Sequence, residues 1–106
     1  MKKDQEMSQE EIEISRIRVP HEPEVLGVVE MMVGGDRMRV KCDDGFTRLV
    51  RIPGRLRKKV WTRPGDLILV EPWKLTKEGK GDLVFRYTST QANWMKRKGF
   101  IKDLIF

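Results

Sequence analysis

From Glu24 onward the chain reads as short apolar stretches cut by turn residues, the pattern of strands. Glu24 to Val33 is apolar and β-branched, interrupted at Gly27, where a bend or bulge is expected. Gly34-Gly35-Asp36 reads as a hairpin turn. Arg37 to Cys42 then alternates cleanly, with Met38, Val40 and Cys42 on one face and Arg37, Arg39 and Lys41 on the other. Asp43-Asp44-Gly45 is the second tight turn. Phe46 to Ile52 is a third strand with no clear inward face. Arg48, Val50 and Ile52 share one parity, Leu49 and Arg51 the other.

After Pro53 the period changes. Leu56 and Val60 stand four apart, enough to seat one helical turn against a core, with Arg55, Arg57, Lys58 and Lys59 around them. Pro64-Gly65-Asp66 reads as a turn. Asp66 to Glu71 is strand four, ended by Pro72. Lys74 to Gly81 is a polar loop, and Asp82 to Tyr87 is strand five. Thr88-Ser89-Thr90-Gln91 fits a capping box opening a helix that runs to about Lys98 and stops at Gly99. Trp94, Met95 and Phe100 are expected to pack that helix on the strands, and Ile101 to Phe106 to dock beside it.

These elements predict an all-β fold with small helices. It is a five-stranded OB-fold barrel with a short helix between strands three and four and a helix at the C-terminal end. An SH3-like barrel is the competitor. Residues 1–23 are polar and charged and end in Pro20 and Pro23, so they are expected to form a flexible tail. Residues 24–88 form the barrel, and 89–106 the helix and final segment packed on it.

Charge sharpens the picture. The 106 residues carry a net charge of +6, and the isoelectric point is about 9.7, in the range that flags nucleic-acid partners. Residues 1–24 hold four Lys/Arg against seven Asp/Glu, and residues 25–65 ten against four. The positive field therefore belongs to the barrel, most of all its first half.

Catalytic chemistry is hard to place. With one cysteine (Cys42) and one histidine (His21), neither a disulfide nor a four-ligand zinc site fits. There is no phosphate-cradling glycine-rich motif, no cofactor motif, and no apolar run long enough to span a membrane. Cys42 reads as a small core residue and Asp43-Asp44 as turn formers. A soluble, non-enzymatic, monomeric protein is expected.

The cations suggest the alternative to chemistry. Arg37, Arg39 and Lys41 line one strand, Arg48 and Arg51 the next, and Arg55, Arg57, Lys58 and Lys59 the connector, which Trp61 closes. Strands two and three with their loops are the usual oligonucleotide platform of this fold. Lys and Arg heads would take phosphates, and Trp61 would either stack on a base or pack at the core edge. Phe46 could supply a second stacking surface but reads more readily as core than as platform.

The run Gly54-Arg55-Leu56-Arg57-Lys58-Lys59-Val60-Trp61 carries a specific resemblance. So do Gly45-Phe46-Thr47-Arg48, Gly65-Asp66, Val70 to Trp73, Phe85-Arg86-Tyr87-Thr88 and Trp94-Met95-Lys96-Arg97-Lys98-Gly99. Over about residues 15–100 the chain resembles the archaeal and eukaryotic translation initiation factor 1A family, relatives of bacterial initiation factor one. The resemblance implies an OB-fold seated at the A site of the small ribosomal subunit. It implies contacts to ribosomal RNA from Arg55, Arg57, Lys58, Lys59 and Trp61, with Arg37, Arg39, Lys41, Arg48 and Arg51 in support. Subunit dissociation, binding of initiator methionyl-tRNA and cooperation with other initiation factors in the cytoplasm follow from it. The short, acidic first segment and the end at Phe106 suit the archaeal branch. The rival is a general single-stranded RNA-binding protein of cold-shock type, disfavoured because strand two shows no aromatic on its exposed face.

Overall fold

The computed structural model describes residues 7–102 and 104. Five strands close into a barrel in the order β1-β2-β3-β5-β4, with β4 returning to β1. They are β1 (Val25–Gly34), β2 (Arg37–Cys42), β3 (Thr47–Arg51), β4 (Leu67–Pro72) and β5 (Lys80–Arg86). Neighbours are antiparallel except β3 and β5, which run parallel through Leu49↔Lys80, Val50↔Gly81 and Arg51↔Asp82. This is the OB-fold plan, and the SH3-like alternative falls away.

β1 closes the barrel because it serves two neighbours. Val25 to Val28 pair with β4, while Gly27 to Gly34 pair with β2. The strand must bend where both ladders meet, and Gly27 sits there. A Cβ at Gly27 would lie 2.5 Å from Val40 Cγ1, closer than side chains pack. Register shifts between Val29 and Met31 and between Met32 and Gly34 add further curl.

The core has two layers. Val29, Met38, Val40, Cys42, Val50, Ile52, Ile68, Val70 and Leu83 fill the barrel. Leu26, Leu67, Leu69, Tyr87, Ala92, Met95 and Leu104 form a second cluster between the barrel wall and α2 (Ser89–Arg97). The apolar run Leu67-Ile68-Leu69-Val70 makes sense on this plan. Ile68 and Val70 point inward and Leu67 and Leu69 outward, and both faces are covered.

α2 opens with the expected box. The Thr88 N–H donates to Gln91 Oε1 at 2.9 Å and the Gln91 N–H to Thr88 Oγ1 at 3.2 Å. It closes at Gly99, whose φ of 81° is the left-handed value glycine tolerates. Met95 and Trp94 pack as expected, but Phe100 lies at the rim, 37% exposed and stacked on Trp94 at 5.9 Å. Ile101 and Leu104 dock in the second cluster. Asp103, Ile105 and Phe106 lie outside the described residues.

The first segment holds a helix that the hydrophobic pattern does not predict. α1 (Gln9–Ser15) starts at a Ser8–Glu11 capping box. Its Glu13 accepts a hydrogen bond from Thr88 Oγ1 at 2.6 Å, and the Glu13 carbonyl accepts from Gln91 Nε2 at 2.8 Å. The Arg18 carbonyl accepts from the Tyr87 hydroxyl. The chain from Ser8 to Arg18 is thus tied to the start of α2. Residues 1–6 of the expected tail lie outside the described residues. Among the described residues, no helix is long and apolar enough to cross a membrane.

Candidate nucleic-acid interface

The β3–β4 connector leaves the barrel at Ile52-Pro53 and makes a 3₁₀ turn over Gly54–Leu56. The Leu56 carbonyl then accepts from both the Lys59 and Val60 N–H groups at 3.0 Å. That wrap brings Leu56 and Val60 together on the barrel core, against which both pack. The four cations between and beside them are pushed outward, and all four are exposed. Arg57 is tethered, its Nη2 donating to Asp36 in the β1–β2 turn. Among the described residues, Arg55, Lys58 and Lys59 form no ion pair, so their charge stands uncompensated.

Trp61 is 80% exposed, which decides between the two readings of its ring in favour of solvent. It borders an open groove of about 520 Å³ lined by Met32, Ile52, Arg57, Val60 and Thr62. Met31, Met32 and Val33 are exposed at the same end of the barrel. The sequence pattern gives Glu24 to Val33 as one apolar strand and assigns no facing to its last residues, so this exposed margin is not legible there. The register shifts in β1 at Val29/Met31 and Met32/Gly34 fall within it.

β2 presents Arg37, Arg39 and Lys41 outward as its alternation predicts, while Met38, Val40 and Cys42 are buried. Arg37 lies directly opposite Arg51 of β3, and Arg39 opposite Leu49. Arg51 is 46% exposed and donates two 3.2 Å hydrogen bonds to Asp82. Arg37 and Arg51 stand at the end of the β2–β3 ladder from which the chain enters the connector, with Arg39 and Lys41 farther along β2.

Arg48 is different. The sequence suggests a supporting contact, but the residue is only 3% exposed. It shares the inward face of β3 with Val50, and its guanidinium reaches the Asp44 carboxylate at 2.9 and 2.8 Å and the Lys77 carbonyl. Burial alone would raise the Asp44 pKa, but the Arg48 hydrogen bonds and the Phe46 N–H outweigh it and hold the carboxyl below its usual value. Arg48 is therefore committed internally. Phe46 also departs from expectation: it is 42% exposed, with the Arg48 guanidinium 5.6 Å from its ring centre.

Trp73 is an interface candidate that the sequence reading passed over. Its indole N–H donates to Asp82 at 2.9 Å, and Arg51 and Lys80 flank the ring at 5.4 and 5.6 Å. The available signal was a tryptophan just past a strand-ending proline, with lysines on the loop beyond. Cys42 offers no chemistry, since burial pushes its thiol pKa up and outweighs the lowering by Arg48.

Strand order, connector and barrel closure define the class: an OB-fold. The family model described as Translation initiation factor 1A / IF-1 matches residues 14–105. Translation initiation factor 1A of Methanothermobacter thermautotrophicus is 48% identical over 90 residues, covering 85% of this chain and 91% of that one. The factor of Methanopyrus kandleri is 49% identical over 92 residues, covering 87% and 82%. That of Archaeoglobus fulgidus is 45% identical over 98 residues, covering 91% and 99%. The crystal structure of YjeQ from Thermotoga maritima shares the fold, with a TM-score of 0.51 at 18% identity over 61% of this chain and 23% of that one. The chain belongs to the translation initiation factor 1A family. It is a non-enzymatic protein of translation initiation, with archaeal relatives.

Proposed function

We propose that this chain binds the small ribosomal subunit at the A site through ribosomal RNA, acting as a monomer in the cytoplasm. The observation that carries the reading is the connector. Leu56 and Val60 anchor it, three unpaired cations surround it, and Trp61 is 80% exposed at its end. Arg55, Arg57, Lys58 and Lys59 contact phosphates and Trp61 meets a base. Arg37, Arg39, Lys41 and Arg51 extend the contact along β2 and β3. Arg48 holds the β2–β3 turn in place and makes no contact of its own.

The mechanism is occupancy. A rigid basic barrel fills a site shaped by folded RNA, and RNA shape with one or two unstacked bases gives selectivity. Occupying the site favours separated subunits and leaves initiator methionyl-tRNA to bind its own site alongside other initiation factors. Chemical footprinting of small-subunit RNA tests this. Protection confined to decoding-site nucleotides is expected. Scattered protection would instead support a general single-strand binder.

A further inference from the structure

We infer that Trp73 is the platform of a second single-stranded RNA subsite, on the outer face where β3 meets β5. The inference rests on the proposed ribosomal RNA interface and extends it away from the connector. Trp73 is held rather than loose. Its backbone N–H donates to the Lys80 carbonyl at 3.0 Å and its indole N–H to Asp82, whose carboxylate also receives Arg51. The ring is thus fixed on two sides before any ligand arrives, so stacking on it costs little ordering.

The indole separates two cavities of different character. On one side Arg37, Arg51, Lys80, Leu49 and Trp73 enclose about 80 Å³. That is roughly the space of three waters, suited to a phosphate rather than a base. Three cations converge there, with Asp82 balancing only one. On the other side lies a groove of about 530 Å³ that includes Phe46, Pro72, Lys74 and Lys77. It has room for a base against the indole and the exposed Phe46 ring. Glu22, Glu24, Asp44 and Glu78 on its wall offset Arg48, Lys74 and Lys77, so the groove carries no excess positive charge for a second phosphate, which sets the polarity of occupancy. Backbone phosphate enters from the β2–β3 side and the neighbouring base from the β4–β5 loop side.

The subsite is continuous with the connector. Arg51 ends β3 and leads through Ile52-Pro53 to the basic turn, and Arg37 lies opposite Arg51. A single strand could run from Trp61 past Arg37 and Arg51 to Trp73, alternating stacking surfaces and phosphate contacts, the pattern of single-strand OB interfaces.

The experiment uses tryptophan emission in the full chain. Trp61→Phe with Trp94→Phe leaves Trp73 as the only reporter, and a short oligoadenylate ribonucleotide is the probe. We expect saturable quenching of Trp73, and Lys80→Gln in the otherwise native chain should weaken oligoadenylate binding about threefold. Circular dichroism confirms that each variant is folded. A companion protein, Trp73→Phe with Trp94→Phe, reports on Trp61. Quenching of Trp61 without any change at Trp73 would overturn the subsite and leave the A-site reading intact. No quenching of either would also overturn it, while the subunit footprint would still judge the A-site reading separately.

Discussion

Arg48 and Asp44 stand four residues apart across the β2–β3 turn and face each other through two hydrogen bonds of 2.9 and 2.8 Å. The guanidinium is almost wholly buried, while the carboxylate is 31% exposed. Removing the carboxylate therefore strands a buried cation. We expect Asp44→Asn to cost about 2–4 kcal/mol in urea unfolding at neutral pH. Arg48→Met should cost less, since it replaces the cation with an apolar stem. A folded Arg48→Met protein should bind small subunits as the native chain does, because Arg48 makes no outward contact.

The same pair sets an acid limb. The folded Asp44 pKa lies below the unfolded value of about 3.9, so its contribution is complete above that value and fades as pH falls through the folded pKa. Unfolding followed between pH 5 and pH 2 should show stability falling with acid, and Asp44→Asn should flatten that slope.

Gly27 gives a test of barrel closure. An added methyl would meet Val40 Cγ1 at 2.5 Å and the Lys41 carbonyl at 3.3 Å, both in the β2 wall. Gly27→Ala should destabilise by about 1–3 kcal/mol through overpacking. Gly54, which has open space around it, should tolerate alanine with a far smaller change in the same assay.

How much of this could be read in advance depends on the residue. The alternation of β2, the Thr88–Gln91 cap and the Leu56/Val60 anchor are local signals, and each reappears where the pattern put it. The parallel pairing of β3 with β5 is a long-range choice with no local signature. Arg48 misled because a cation in a strand ordinarily faces water, and only the three-dimensional closeness of Asp44 and the Lys77 carbonyl makes burial tolerable. α1 was missed because Ile12, Ile14 and Ile17 form no clear helical stripe. Its stability comes from Ser8, Glu11 and the distant Thr88 and Gln91. Trp61 was the open question within the candidate site, since an indole beside a barrel can face either way. The surroundings of Trp73 are only half legible: Lys80 lies close by in the chain, but Arg51 reaches the ring only through the parallel β3–β5 pairing.

Tyr87 fastens the chain just beyond α1, at Arg18. Burial first, then the nearby Glu24, raises the Tyr87 pKa, so the hydroxyl stays protonated and donates to the Arg18 carbonyl. Tyr87→Phe leaves that carbonyl without this donor and should cost about 1–2 kcal/mol. Amide hydrogen exchange should speed up across residues 9–18 more than in β2 or β3.

The cations of the connector predict salt dependence. Lys58→Ala with Lys59→Ala should leave unfolding unchanged, because both side chains are exposed and unpaired. The slope of log affinity for small subunits against log salt should become shallower by about 1–2, the share of two phosphate contacts.

The central claim is that the connector presents Trp61 to RNA, and the affinity of Trp61→Ala for purified small subunits tests it most directly. The ring is 80% exposed, so the variant should unfold at the same urea concentration as the native chain. Its affinity should fall roughly 5- to 150-fold, the effect of losing one stacked base at about 1–3 kcal/mol. Unchanged affinity, or a loss of affinity that merely tracks a loss of folding, would contradict the account.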